Sequence, residues 1–93
     1  MQSIELAGGG LSQSDQERRF NAVLAAYGPS LARLARSYVR LPTEGEDLFQ
    51  EIAIAIWRAL PSFRGECSER TFVFRIAHNR GMSHLARRRL PTA

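Results

Sequence analysis

Residues 43–61 read TEGEDLFQEIAIAIWRALP, and this stretch decides the fold. Thr43-Glu44-Gly45-Glu46 has the form of a capping box, in which a hydroxyl and a carboxylate satisfy the unpaired N–H groups of a helix start. Glu44, Glu46 and Asp47 fall in the first turn, where negative charge suits the positive end of the helix macrodipole. Pro61 lacks the N–H needed to continue, so the spacing predicts a helix from about Glu44 to Leu60. At about 100° per residue, Phe49, Ile52, Ala53, Ile56 and Leu60 share one side of it. Asp47, Gln50, Glu51, Ile54 and Arg58 share the other. A helix so divided must bury its apolar side against other elements, and the flanking sequence supplies only helices.

Upstream, Ser14-Asp15-Gln16-Glu17 repeats the capping-box pattern, and Phe20, Val23, Leu24 and Tyr27 recur at helical spacing. Gly28-Pro29 predicts a break, after which Pro29 or Ser30 opens a second helix with the stripe Leu31, Leu34, Ala35 and Tyr38, ending at Leu41-Pro42. Downstream, a polar loop runs from Ser62 to Cys67, and an unbroken helical stretch runs from about Ser68 or Glu69 to Arg89, before Pro91. Phe74, Ala77, Gly81 and Leu85 form its natural core side, with Gly81 permitting close approach of another helix. No alternation long enough for a strand appears. The expected fold class is all-α, a compact bundle of three to four helices over residues 14–90, behind a flexible leader, 1–13, that contains Gly8-Gly9-Gly10.

Composition narrows the function. Ninety-three residues make one domain with a single modest core, and 44% hydrophobic with 24% charged residues is ordinary for a globular chain. No apolar run approaches the roughly 20 residues that cross a bilayer. The longest is Ile52 to Trp57, and the N-terminus lacks the pattern of a signal peptide, so the chain reads as cytoplasmic, with no membrane partner. The lone Cys67 with His78 and His84 gives neither the number nor the spacing of a zinc site, and no metal or other cofactor is expected. There is no nucleophile–base pair, and Gly8-Gly9-Gly10 lacks the lysine and flanking strand of a phosphate loop, so no catalytic residue and no enzyme is expected. Charge is uneven: residues 1–60 carry net −1 and residues 61–93 net +5, every basic residue being Arg.

Two exposed surfaces carry the interest. Ile54, within a polar stripe, and Trp57 at its edge make an apolar centre rimmed by charge, as protein interfaces have. The same residues also fit a Trp57 packed under a neighbouring helix and an ordinary exposed Ile54. On the last helix, Phe72, Arg75, Asn79 and Ser83 line up opposite the core side, with Ile76 and Met82 at the margins. An aromatic ring, a guanidinium, an amide and a hydroxyl suit a single nucleic-acid strand, since bases stack on rings and Asn can pair with adenine. They equally fit a Phe72 that seals the helix start against the 62–67 loop beside a solvated Arg face. Arg87-Arg88-Arg89 adds a generic electrostatic patch.

In combination, Glu46-Asp47-Leu48-Phe49-Gln50-Glu51, Trp57-Arg58-Ala59-Leu60, Ser62-Phe63-Arg64-Gly65-Glu66 and Arg70-Thr71-Phe72-Val73-Phe74-Arg75-Ile76-Ala77-His78-Asn79 closely resemble region two of the extracytoplasmic-function (ECF) sigma factors, in order and spacing, over about residues 20–89. The resemblance implies a transcription initiation domain. It implies that Asp47, Gln50, Glu51, Ile54, Trp57 and Arg58 dock on the clamp helices of the largest subunit of core RNA polymerase. It further implies that the 62–67 loop and the next helix recognise and melt the promoter minus-ten element by capturing a flipped non-template base. Phe63, Arg64, Phe72, Arg75, Asn79, Ser83 and Arg87 are the candidate DNA-binding residues. The family commonly has anti-sigma inhibitors, so such a partner is implied as well.

Two departures stand out. Phe72 occupies a position where the family usually has Trp, which keeps stacking but with a smaller ring and no indole donor. The family's minus-thirty-five-binding helix-turn-helix domain has no counterpart before Ala93; an excised fragment is the favoured expectation, a stand-alone variant needing a partner subunit the other. The rival functions are a duplex DNA-binding module with its last helix in the major groove, and a domain acting mainly as an anti-sigma target.

Overall fold

The structure, a computed structural model, describes residues 12–89. Among these residues three α-helices follow one another: α1 (Gln13–Ser37), α2 (Pro42–Ala59) and α3 (Glu69–Arg89), with a 3₁₀ turn, Leu60–Ser62, after α2. The fold is all-α, and no strand occurs among the described residues. Of the expected leader, only Ser12 and Gln13 lie inside the described residues; they cap and open α1.

The expected break at Gly28-Pro29 does not occur, and the two upstream helices are one, with Pro29 inside it. An interior proline costs about 3 kcal/mol by local rules. Here Val23 and Leu31, on either side of Pro29, are both fully buried. Each contributes about 1.5–3 kcal/mol by leaving water, so a break that withdrew either end would cost at least as much as the proline does. Ala25, whose carbonyl loses its partner to Pro29, is exposed, and water can satisfy that group.

Helix starts differ in detail from the expected boxes. Ser12, not Ser14, caps α1, its Oγ accepting from the Asp15 N–H at 3.2 Å. The α2 helix starts at Pro42, with Leu41 as a cap that supplies no side-chain bond. Glu44 reaches back instead and accepts from the Arg40 N–H at 3.3 Å. In α3, Ser68 accepts from the Thr71 N–H at 3.0 Å.

The core comprises Val23, Leu31 and Ala35 of α1, Leu48, Ile52, Ile56 and Leu60 of α2 and its turn, and Val73 and Ala77 of α3. Leu48 and Val73 are fully buried in it, where the expected stripes have Phe49 and Phe74; those two rings are only partly buried against it. Gly81 makes the close approach expected of it. A Cβ there would lie 2.5 Å from the Tyr38 ring, and the Tyr38 hydroxyl is hydrogen-bonded to His78 Nδ1 at 2.9 Å. The end of α1 is thereby fixed to the middle of α3.

Candidate functional site

The polar stripe of α2 stands as its spacing requires. Asp47, Gln50, Ile54 and Arg58 are exposed, Ile54 at 51%, while Glu51 and Trp57 are half-buried. Trp57 is an anchor as much as a surface: its ring meets Phe20 of α1 edge-on at 5.3 Å, and its carbonyl accepts from Gln16 Nε2 at 2.6 Å. Ile54 has no such cover and is among the large apolar side chains most open to solvent.

Beyond the 3₁₀ turn the chain is held by backbone geometry. The Phe63 N–H donates to the Leu60 carbonyl, the Arg64 N–H to Glu66 Oε1 at 3.2 Å, and Gly65 takes φ +80°, a left-handed conformation that costs a residue with a Cβ about 1–2 kcal/mol. This turn sends Phe63 back onto α3, where its ring stacks on Phe72 with centroids 4.3 Å apart and planes 27° apart. Phe72 is therefore not a free member of an exposed strip. It is half-buried, packs against the core, and offers its partner Phe63 as the outer ring of an aromatic pair. Arg75, Asn79 and Ser83 run on from that pair along α3, all exposed, with Arg64 exposed in the loop.

Arg87 belongs elsewhere. It lies eight residues beyond Asn79, about 12 Å along the axis, and its Nη2 pairs with Glu51 Oε2 at 3.1 Å. A shallow groove between α2 and α3 collects Glu51, Ile54 and Arg58 with Arg80 and Arg87. The acidic and basic halves of the sequence are thus joined at this edge. A second staple joins the next residue of α3 to the start of α2: Arg88 pairs with Glu44. Partial burial works to raise the Glu44 pKa, but the Arg40 N–H and the Arg88 guanidinium outweigh it and hold the carboxyl below its ordinary value.

The contacts of four residues in this region escape sequence reasoning. Arg19 of α1 places its guanidinium carbon 5.4 Å from the Phe63 ring centroid. Arg70 lies 4.8 Å over Phe74, Arg80 lines the groove, and His78 holds Tyr38. Arg70 and His78 stand in the quoted motif and Arg80 on the same basic helix, but the contacts of Arg19 and His78 bridge residues some forty positions apart and have no local pattern. Among the described residues no cluster of three His, Cys, Asp or Glu could hold a metal, and no helix is long and apolar enough to cross a membrane.

Comparison with known proteins identifies a family. Residues 23–90 match the sigma-70 region 2 family. The RNA polymerase sigma factor CnrH of Cupriavidus metallidurans is 34% identical over 67 residues, covering 72% of this chain and 35% of that protein. The RNA polymerase sigma-H factor of Pseudomonas aeruginosa is 35% identical over 76 residues, covering 82% and 39%. The ECF RNA polymerase sigma-E factor of Escherichia coli is 35% identical over 74 residues, covering 78% and 38%. The chain therefore spans a little over a third of the length of these curated relatives. No solved structure matches it. With a three-helix fold, a family match over most of the chain and relatives of one kind, the protein belongs to the sigma-70 region 2 family, as an extracytoplasmic-function sigma factor region-two domain.

Proposed function

We propose that this chain is a transcription initiation domain that docks on core RNA polymerase through α2 and captures an unpaired base of the promoter minus-ten element at the Phe63–Phe72 pair. Docking uses the exposed stripe of Asp47, Gln50, Ile54 and Arg58, with Glu51 and Trp57 at its borders, against the clamp helices of the largest subunit. Ile54 supplies the apolar centre and the flanking charges the rim, the usual arrangement of a specific interface.

The observation that carries the DNA half is the stacked ring pair at the start of α3, 4.3 Å apart, leading directly into the exposed Arg75, Asn79 and Ser83. A base stacked on such a ring gains about 1–3 kcal/mol. Extracting a base from intact duplex costs a few kcal/mol, so one ring contact roughly offsets the unpairing and leaves little surplus. The isolated chain should therefore bind single strands or mismatched duplex and leave matched duplex closed, with polymerase supplying the rest. Phe72 in place of the customary Trp works in the same direction, because less area is offered for stacking.

The test measures binding of the wild-type chain and the Asp47→Arg chain to core polymerase, then titrates a minus-ten single strand into each mixture. Loss of docking in the variant with its helicity intact is expected. Equal docking by both chains would remove α2 as the anchor, and equal affinity of the wild-type and Asn79→Ala chains for the strand would remove α3 as its reader.

A further inference from the structure

We infer that Arg19 is a further DNA-contacting residue: its guanidinium covers the Phe63 ring in the free domain and transfers to the strand's phosphate as a base takes its place on that ring. This rests on the base-capture reading above and deepens it.

Arg19 is half-buried, yet among the described residues it has no carboxylate partner; what holds it is the Phe63 ring, 5.4 Å from its guanidinium carbon. Its neighbour Arg18, by contrast, pairs with Asp15. The placement is built rather than incidental. Gln16 and Phe20, on either side of Arg19 in α1, both fasten to Trp57 at the end of α2, which fixes the Arg19 backbone beside the loop that follows.

Phe63 is engaged twice, by Phe72 and by Arg19. An incoming base must displace one of them. Phe72 is packed against the core and could yield only by opening it. Arg19 is the end of a long side chain whose cation–π contact at a partly exposed site is weak, and a base offers the ring a larger flat partner. The guanidinium released from the ring is a planar bidentate donor suited to phosphate, and the captured nucleotide brings phosphates within the sweep of that side chain. Arg19 lies ahead of the family-matching residues 23–90, and the motifs alone would not mark it.

The experiment uses the whole 93-residue chain and fluorescence anisotropy of a labelled single-stranded oligonucleotide pool of randomised sequence, over a series of salt concentrations. Arg19→Ala should weaken binding about five- to tenfold at low salt, and the slope of log affinity against log salt should become shallower by about 0.7, the share of one phosphate contact on a single strand. Arg19→Lys keeps the charge and should keep the slope. Weaker binding of Arg19→Ala with an unchanged slope would make Arg19 a mere support for the loop and overturn the inference. Unchanged binding of Arg19→Ala alongside weakened binding of Phe63→Ala would overturn it while leaving base capture standing; unchanged binding in both variants would remove the two together.

Discussion

Replacing Gly81 by Ala tests the join on which the geometry of α3 depends. The added Cβ would lie 2.5 Å from two carbons of the Tyr38 ring and 2.7 Å from a third, against about 3.5–4.0 Å for an ordinary carbon contact, so the ring must move by about 1 Å. Tyr38 is poorly placed to move: it caps the end of α1, and its hydroxyl is held 2.9 Å from His78 Nδ1. Overpacking of this kind costs about 1–3 kcal/mol, and loss of a partly exposed hydrogen bond about 0.5–1 kcal/mol. Against these stands about 1 kcal/mol gained when Ala replaces Gly inside a helix. The net expectation is destabilisation by about 1–2 kcal/mol, a fall in Tm of about 5–15 °C for a domain of this size. Urea unfolding followed by far-ultraviolet circular dichroism gives the number directly. In a Tyr38→Ala background the obstacle is gone, and the same Gly81→Ala change should stabilise by up to about 1 kcal/mol. A wild-type-background variant more stable than its parent would mean that α1 and α3 do not meet at this glycine.

Two further expectations follow from the helix ends and the proline. Pro29→Ala should raise stability by about 1–2 kcal/mol, since the recovered helical N–H outweighs the freedom returned to the unfolded chain; unchanged or lowered stability in urea would place a break at Gly28-Pro29 after all. Glu44 has a folded pKa below its ordinary 4.5, so its contribution is whole above that value and is lost as pH falls through the lowered folded one. Acid titration of the wild type should therefore show a loss of stability below about pH 4.5 that is smaller in Glu44→Gln, and coincident acid limbs would show that the Arg40 and Arg88 contacts do not persist in solution.

What the sequence disclosed and what it hid divide along a physical line. Pro61 as the end of α2, Gly81 as a contact glycine and the start of α3 near Glu69 follow from rules that act within a few residues, and each is found. Gly28-Pro29 obeys the same local rules and misleads, because burial of Val23 and Leu31 on one continuous face outweighs a local cost. The aromatic neighbours Phe49 and Phe74 draw the apolar stripe about one position round each helix, away from the buried Leu48 and Val73. The candidate α2 stripe was legible since exposure there depends on the angle about a single helix. Phe72 was only half legible: its angle on α3 suggested the surface, but the left-handed Gly65 folds Phe63 over it, and nothing in the angular pattern of α3 encodes that. Arg87 carries a charge signal alone, and its partner Glu51 lies thirty-six positions away.

The pairing of Arg87 with Glu51 bears on how the two proposed surfaces communicate. Arg87 is 53% and Glu51 41% exposed, and an ion pair so open to water contributes about 0–1 kcal/mol. Polymerase engaging Glu51, or a phosphate engaging Arg87, can break it at that small cost, so the coupling it transmits between docking and DNA binding is at most about fivefold in affinity. The spacing of the two surfaces is set by something stiffer. Ile52 and Ile56 of α2 and Val73 and Ala77 of α3 are fully buried in one cluster, and sliding either helix would uncover several of them together at about 1.5–3 kcal/mol for each large side chain. The helices should therefore move as one body, and adjustment on binding should be confined to exposed side chains and to the short loop that carries Phe63. On the proposed function, rigidity in α2 and α3 has a direct use: it would hold a base captured at the start of α3 at a fixed distance from the α2 surface proposed to dock on polymerase.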